Sequence, residues 1–375
     1  MSKVNTYFTD FLANIRLPDS LVQELIRAHT NLRQRLVADD LTKDLMVDSF
    51  LQGSYARSTC IKPEKDAKVD VDVIAVTNIN HNDVTAKQAF EMVTPFVEKY
   101  YEEFRQQSRS IGISLEKVDM DFVITAAPSE ELVREIKKAN LSSAFTIEDM
   151  LESQGTNTMP ILKNGMRLNE TINFFNESTE SSWRVEPLLL PDNDEDRWYR
   201  THPLEQIRWT REKNKKCNGH FINVVKALKW WKRVSLPDSK YPKSYPLEHF
   251  IGECCPDYID SVAEGIVCTM EKIARSYQQK PVLPDRGVPE HDVFGKLSEE
   301  DYQVFYDAVC QSVKIARRAY DTEDIETSVT LWRRFFADSD EFPRYVGGSG
   351  KPDSKGGFTP RKEKTEAVPT GRFAE

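Results

Sequence analysis

The stretch LQGSYARSTCIKPEKDAKVDVDVIAV, residues 51–76, combines a glycine–serine turn with a segment that carries two acids. In its second half, VDVDVIAV (69–76), β-branched residues alternate with other residues, which predicts a β-strand. Side chains alternate between the two faces of a strand, so Asp70 and Asp72 are expected on one face and the valines on the other. Two carboxylates this close repel each other unless a positive charge lies between them, and a divalent cation such as Mg²⁺ is the simplest candidate.

A second stretch, KVDMDFVITAAP (residues 117–128), repeats this pattern. Asp119 and Asp121 again alternate with apolar residues, and Pro128 is expected to end the strand. If the two strands are neighbours in one sheet, a third carboxylate joins the pair on the first strand. Three acids that hold two Mg²⁺ ions suit an in-line phosphoryl or nucleotidyl transfer.

The dipeptide Gly53–Ser54 supplies a group that such a reaction needs. A tight glycine turn lets backbone N–H groups approach a polyphosphate, and the serine hydroxyl adds a hydrogen-bond donor. The dipeptide alone carries no information. Its position sixteen residues before the first acid pair, with a further acidic strand downstream, makes the combination specific.

Length and charge limit the classes of protein that fit. The chain has 375 residues, enough for two or three domains, and 51 Lys and Arg against 60 Asp and Glu give a net charge of -9. This acidity argues against binding to long nucleic acid or to anionic membranes. We see no run of apolar residues long enough for a membrane span and no signal peptide at the start, so we expect a cytoplasmic location.

The pattern along the chain predicts an α+β protein with two lobes. Residues 1–50 are expected to be helical and to supply a bracing helix, and from about residue 195 onward most segments show helical spacing. We therefore expect a core lobe over residues 1–195 and a helical lobe over 196–345. Residues 346–375 contain 6 of the 15 glycines and no periodic apolar pattern, which predicts a flexible tail.

One basic segment lies within this acidic chain. Between residues 208 and 233 there is one acid, Glu212, and there are nine basic residues: Arg208, Arg211, Lys213, Lys215, Lys216, Lys226, Lys229, Lys232 and Arg233. Opposite a cluster of acids that binds metal, we interpret this segment as a clamp for a triphosphate rather than as a solvated helix face.

The two acidic stretches and the glycine–serine turn together resemble the nucleotidyltransferase fold of the DNA polymerase β type. Within that fold the match is closest to the CD-NTases, bacterial relatives of cyclic GMP–AMP synthase and oligoadenylate synthase. These enzymes make cyclic oligonucleotide second messengers in anti-phage (CBASS) operons. Three further segments resemble the family in the same order: ALKWWKR (227–233), KSYPLEHF (243–250) and LWRRFFADSDEFP (331–343).

The resemblance implies that Asp70, Asp72 and one acid of the second strand hold the metal ions and are catalytic. In the family this acid is followed by two apolar residues and then by small ones. The sequence DFVITAA fits that pattern from Asp121, which we therefore prefer to Asp119 as the third ligand.

The resemblance also implies which residues contact the nucleotide. Ser54 is expected to contact the triphosphate, and Lys229 and Ser244 are expected to contact phosphates. Tyr245 is expected to stack on a base. The complete set of expected nucleotide-binding residues is Gln52, Gly53, Ser54, Lys229, Ser244 and Tyr245.

The implied function is a cyclic oligonucleotide synthase that joins ATP and other NTPs into a cyclic di- or trinucleotide with release of pyrophosphate. Two Mg²⁺ ions, or Mn²⁺ in their place, are the implied cofactors. Two alternatives stay open: a nucleotidyltransferase with an external acceptor, and a catalytically silent nucleotide-binding module. The implied partners are an E1/E2-like ligase that acts on the C-terminal tail, or a HORMA-type activator. Base preference, product size and linkage do not follow from the motifs.

Overall fold

The computed structural model describes residues 2–64, 67–127, 129–131, 133–134 and 186–346. The strands are β1 (Met46–Gln52), β2 (Val69–Thr77), β3 (Phe104–Gln106), β4 (Ile111–Ser114), β5 (Val118–Ala126), β6 (Leu188–Asp192) and β7 (Arg197–Thr201). The helices before the gap are α1 (Ser2–Asn14), α2 (Asp19–Ala38), α3 (Gly53–Ala56) and α4 (Ala86–Tyr100). Those after it are α5 (Pro203–Lys216), α6 (Phe221–Ser235), α7 (Ser244–Cys254), α8 (Val262–Ser276), α9 (Glu299–Asp321) and α10 (Ile325–Phe335).

The strands form one mixed sheet in the order β1-β2-β5-β4-β3, and β6 pairs with β5 and β7. The central pair, β2 and β5, is parallel, so the two acidic strands are neighbours as the sequence argument required. β1 pairs antiparallel with β2 on the other side. This order places the end of β1, where the glycine–serine turn begins, beside the acids of β2.

The two faces of the β2–β5 pair have different surroundings. On one face, the residues at alternate positions from Val69 and Val118 pack with α2 and α4 in a continuous hydrophobic core. On the other face, Ile74 and Val123 lie in a smaller buried cluster. The acids lie on that second face at the start of each strand. Their positions are partly or fully exposed, whereas the later residues of both strands are buried. The alternation predicted from sequence is confirmed.

The helical lobe has its own core. Helices α6 to α10 bury an aromatic-rich cluster that includes Trp231, Phe250 and Trp332. The helix α1 packs into this cluster through Phe8 and Phe11, whereas α2 packs on the sheet. The N-terminal segment is therefore two helices, separated before Asp19 by a proline, and each belongs to a different core.

Two details differ from the sequence expectations. The helical prediction for residues 1–50 fails at its end, because residues from Met46 onward form β1; there the pairing with β2 outweighs local spacing. The sheet also continues beyond residue 195, because β7 pairs with β6 as far as Thr201. The α+β class with a mainly helical second lobe is confirmed. The predicted tail, residues 346–375, lies outside the described residues apart from Val346.

Among the described helices, none combines the length and the apolar composition that crossing a bilayer requires.

Candidate active site

A cleft of about 840 Å³ lies between the sheet and the helical lobe. Its walls come from the end of β1, the starts of β2 and β5, the end of β7, and the helices α3, α5, α6 and α7. The segment that joins α6 and α7 completes the lining. The preferred metal ligands and the expected nucleotide-binding residues all line this one cleft: Gln52, Gly53, Ser54, Asp70, Asp72, Asp121, Lys229, Ser244 and Tyr245. Motifs as far apart as residues 52 and 245 therefore meet at one place.

The acids are brought together by the register of the two parallel strands. Asp70 lies beside Asp119, and Asp72 lies beside Asp121. Asp121 lines the cleft with the β2 pair, whereas Asp119 lies outside it. The Asp119 carboxylate accepts a hydrogen bond from Ser114 Oγ at 2.7 Å and lies 3.8 Å from Lys68 Nζ. The arrangement favours Asp121 as the third acid that faces the cleft.

Gly53 is required by two independent features of the turn after β1. Its φ of +75° is a left-handed conformation that residues with a side chain rarely adopt. In addition, a Cβ on Gly53 would lie 1.8 Å from Asp72 Oδ2. The absence of a side chain therefore lets the Asp72 carboxylate lie directly against the turn that leads to Ser54.

The three carboxylates repel one another. Burial and then the charges of Asp119 and Asp121 raise the pKa of Asp70. Burial and then the charge of Asp121 raise the pKa of Asp72 to about 6. Burial also raises the pKa of Asp121, in spite of a hydrogen bond from Gln107. The positive charges near these acids are not sufficient to bring the pKa values back to the usual range.

Such a cluster fits a hard divalent cation, because carboxylate oxygens are its preferred ligands and its charge would cancel the repulsion. Within the described ranges, no three His, Cys, Asp or Glu side chains are already gathered as a set of metal ligands. Asp70, Asp72 and Asp121 are the side chains that would hold such an ion in this cleft.

The Asp121 carboxylate has a neutral partner. Gln107 Nε2, next to β3, donates a hydrogen bond of 3.0 Å to Asp121 Oδ1. The amide has room to do so because Gly112, paired with Asp121 across β4 and β5, lacks a Cβ; one there would lie 2.4 Å from Gln107 Nε2. Gln107 orients the carboxylate without adding a positive charge that would compete with a cation.

A second ionic group lies across the cleft, around the buried carboxylate of Glu248 on α7. Lys229 Nζ donates to Glu248 Oε1 at 2.9 Å and to the Thr59 carbonyl at 3.1 Å. Arg57 Nε donates to Glu248 Oε2 at 3.0 Å, and Thr59 Oγ1 donates to the same oxygen at 2.8 Å. Ser244 Oγ donates to Oε1 at 3.2 Å. One carboxylate thus holds the lysine and serine expected to contact phosphate.

The electrostatics of this group explain how it stays ionised. Burial alone would raise the pKa of Glu248, but the charges of Arg57 and Lys229 outweigh burial and lower it to about 2. All three side chains are at most 10% exposed. Two cations share one anion, so the group carries an excess of positive charge next to the cleft.

Tyr245 is also held by a carboxylate. Its hydroxyl donates a hydrogen bond of 2.6 Å to Asp285 Oδ2, and the guanidinium of Arg57 lies 5.0 Å from the centroid of its ring. The ring lines the cleft in a fixed position.

The basic segment needs a correction. Of its nine basic residues, only Lys229, Lys232 and Arg233 line the cleft, because the segment is divided between α5 and α6. Lys213, on α5, pairs instead with Asp257 at 2.6 Å, and Arg208 pairs with Glu205 at 2.6 Å. The summed charge of the segment therefore does not act at one place.

No pattern in the sequence assigns a role to Arg57, Glu248 or Asp285. Glu248 could have been found, because it follows Ser244 by four residues on one helix and so shares its face. Arg57 is in the quoted glycine–serine stretch, but nothing in the sequence pairs it with a residue on α7. Asp285 belongs to no motif and enters the site through the fold alone.

Similar proteins identify the family to which this chain belongs. The family model of the Second Messenger Oligonucleotide or Dinucleotide Synthetase domain (SMODS) matches residues 1–128. A "Probable cyclic AMP-AMP-GMP nucleotide synthase" of Salmonella paratyphi B is 39% identical over 99% of this chain and 100% of its own length. The cyclic AMP-AMP-GMP synthase of Enterobacter hormaechei subsp. hoffmannii (strain UCI 50) is 39% identical over 98% of each chain.

Solved structures share the fold. The CdnC of E. coli MS115-1, in its complex with HORMA-deltaN, superposes with a TM-score of 0.59 at 13% identity over 90% of this chain and 98% of that one. The expected polymerase-β-type nucleotidyltransferase fold is thereby confirmed. The family is one of enzymes, and its members typically use divalent metal ions. With full-length relatives at 39% identity, the chain belongs to the CD-NTase family of nucleotidyltransferases, which synthesise cyclic oligonucleotides.

Proposed function

We propose that this enzyme joins ATP and GTP into a cyclic trinucleotide that serves as a second messenger in anti-phage defence. The observation that carries the proposal is the meeting of three aspartates, a glycine turn and a buried lysine–glutamate group in one cleft. The inclusion of both adenine and guanine rests on the names of the two relatives that are 39% identical over the full length. The cytoplasm, where nucleoside triphosphates are abundant, is the proposed location.

In the proposed site, Asp70, Asp72 and Asp121 hold two Mg²⁺ ions, which Mn²⁺ can replace. When bound, the ions lower the pKa of the attacking ribose hydroxyl and neutralise charge on the attacked α-phosphate. The backbone at Gln52 and Gly53 and the hydroxyl of Ser54 approach the triphosphate.

On the opposite wall, Lys229 and Ser244 contact phosphate oxygens, and Glu248 sets their positions. Tyr245 stacks on a base. With the metal charge in place, the ribose hydroxyl could pass its proton to solvent water, so no side chain is assigned as a general base.

Incubation of the full chain with ATP, GTP and Mg²⁺, followed by mass spectrometry after phosphatase treatment, tests the proposal. The expected result is a phosphatase-resistant cyclic product that contains both bases, together with pyrophosphate. A protein that makes nothing from NTPs alone, but modifies an added acceptor, would be a transferase of another kind. Lack of Mg²⁺-dependent turnover under every activating condition would instead indicate a silent nucleotide-binding module.

Two sets of variants test the metal site. The double variant Asp70→Ala with Asp72→Ala should form no product while keeping its fold, and Asp121→Ala should lose activity to a similar extent. Asp119→Ala is the matched control, because Asp119 lies on the same strand face but outside the cleft. Pyrophosphate release by the double variant, or a greater loss in Asp119→Ala than in Asp121→Ala, contradicts the assignment.

We also propose that an E1/E2-like ligase acts on the C-terminal tail, which ends Gly371-Arg372-Phe373-Ala374-Glu375. The composition of residues 346–375 supports a segment able to reach another active site. Removal of the last five residues should abolish partner capture and defence but not synthesis by the purified enzyme. If capture persists and synthesis instead depends on an added HORMA-type protein, the alternative activator is favoured.

A further inference from the structure

The carboxylate of Asp285 lies behind the cleft wall with both oxygens engaged. Its Oδ1 accepts hydrogen bonds from the backbone N–H groups of Gly287 at 2.9 Å and Val288 at 3.2 Å. Its Oδ2 accepts from the Tyr245 hydroxyl at 2.6 Å and from Gln206 Nε2 at 3.2 Å. Asp285 is 8% exposed and does not itself line the cleft. Its position and its orientation are therefore fixed from both sides.

This arrangement determines which end of the Gln206 amide is available. An ionised carboxylate only accepts hydrogen bonds, so the NH₂ group of Gln206 must be the end that faces Asp285. The carbonyl oxygen Oε1 is then the group that Gln206 can offer elsewhere. Gln206 lines the same cleft as Tyr245. The Tyr245 ring and the Gln206 side chain thus both line the cleft, and both donate to the same oxygen of Asp285.

Such a pair is suited to recognising a nucleobase. The aromatic ring can stack on the face of the base, and the acceptor can take a hydrogen bond from a donor on its edge. Stacking is tolerant of base identity, whereas an acceptor at the edge distinguishes bases by their donors. Adenine carries an exocyclic amino group at C6 and guanine carries one at C2. Hypoxanthine, the base of ITP, has neither.

We propose that Gln206 is a specificity-determining residue whose Oε1 accepts a hydrogen bond from the exocyclic amino group of a purine stacked on Tyr245. Asp285 is the positioning residue that sets the polarity of the Gln206 amide. The inference rests on the proposed function, because it assumes that a purine nucleotide occupies the cleft.

Asp285→Asn gives this inference its sharpest test. The carbonyl end of the new amide would be retained by the N–H groups of Gly287 and Val288, so its NH₂ end would face Gln206. One hydrogen of that NH₂ would be donated to the Tyr245 hydroxyl oxygen, and Gln206 would turn its Oε1 toward the other and its own NH₂ toward the cleft. The acceptor at the base edge would become a donor, with almost no change in shape.

The experiment measures the dissociation constants of ATP, GTP and ITP for the full chain without divalent metal, so that turnover does not interfere. Competition for incorporation in the presence of Mg²⁺ is measured in parallel. We expect the unmodified protein to favour an amino-bearing purine over ITP by about ten-fold. Gln206→Leu should remove most of this preference, and Asp285→Asn should shift it further toward ITP. The purine whose ratio to ITP responds identifies the amino group that is read.

Gln303→Leu is the matched control. Gln303 Nε2 donates to Asp307 Oδ1 at 2.8 Å on the exposed face of α9, so the variant removes the same type of contact away from the cleft. It should leave all nucleotide ratios unchanged. If Gln206→Leu and Asp285→Asn weaken the three nucleotides equally, or not at all, the inference is overturned. If the ratios shift as expected but no cyclic product forms, the proposed function fails while the base recognition stands.

Discussion

The carboxylate of Asp72 lies where a side chain on Gly53 would begin, since a Cβ there would be 1.8 Å from Asp72 Oδ2. Gly53→Ala should therefore displace the carboxylate and strain the turn at φ +75°. Misplacement of a reacting group by about 1 Å can lower activity about 100-fold, and we expect a loss of that size in cyclic product formation.

Gly219→Ala provides the control for backbone strain. Gly219 has a φ of +81°, but a Cβ at this position would meet no atom of the described residues within 4 Å. The variant should cost about 1–2 kcal/mol of stability, because a side chain disfavours the left-handed backbone, and should leave synthesis intact. Equal losses of activity in the two variants would show that the contact with Asp72 is unimportant.

Gly112 and Gln107 should act as one unit on Asp121. Gly112→Ala should push the Gln107 amide away from Asp121, and Gln107→Ala should remove it altogether. Each single variant should weaken Mn²⁺ binding, measured by electron paramagnetic resonance, because Asp121 loses its orienting partner. The double variant should bind Mn²⁺ no more weakly than the worse single variant, since both changes break the same hydrogen bond. Additive losses would mean that the two residues act separately.

The stability of the metal-free protein should depend on pH through Asp72. Its pKa of about 6 is higher than that of an aspartate in an unfolded chain, about 4, so the folded state binds the proton more tightly. The metal-free protein should accordingly lose stability as the pH rises through this window. Asp72→Asn should be more stable than the unmodified protein at pH 7.5 by up to about 3 kcal/mol, and the difference should vanish near pH 4.

Chemical denaturation in EDTA at both pH values measures this effect. Saturating Mg²⁺ should stabilise the unmodified protein more than Asp72→Asn, because binding to the folded state adds to stability. A variant that is equally stabilised by Mg²⁺ would remove Asp72 from the set of metal ligands.

Lys229 should affect both nucleotide binding and stability. Lys229→Ala removes a donor next to the cleft and leaves the buried Glu248 with less positive charge around it. We expect a rise of about ten-fold in the KM for NTP and a loss of about 1–3 kcal/mol in the free energy of unfolding. Lys215→Ala, which removes the same charge from an exposed site on α5, should change neither. An unchanged KM in Lys229→Ala would exclude a role in phosphate binding.

The sequence predicted the parts of the site that lie on regular strands and in short motifs. The alternation of acidic and apolar residues around Asp70 and Asp121 shows within a few residues which side chains share a strand face. These positions could therefore be predicted from the sequence alone. The sequence does not show that β2 and β5 pair with each other; the structure of the sheet does. Contacts such as Arg57 with Glu248, or Tyr245 with Asp285, join distant segments and have no local pattern. The prediction that the basic segment acts as one clamp was wrong for the opposite reason. Its residues are close in sequence but are not close together in space.

The Glu248 group also has a mechanical consequence for the whole molecule. The sheet and the helical lobe each have a separate hydrophobic core, and units of that kind can unfold in separate steps. Here, however, a carboxylate from α7 is bonded to Arg57 and Thr59 of the other lobe and is 6% exposed. Separation of the lobes would leave buried charges without partners, which is strongly unfavourable. Both cores should therefore melt in a single cooperative transition, and a calorimetric scan that resolves two would show that the group does not couple them.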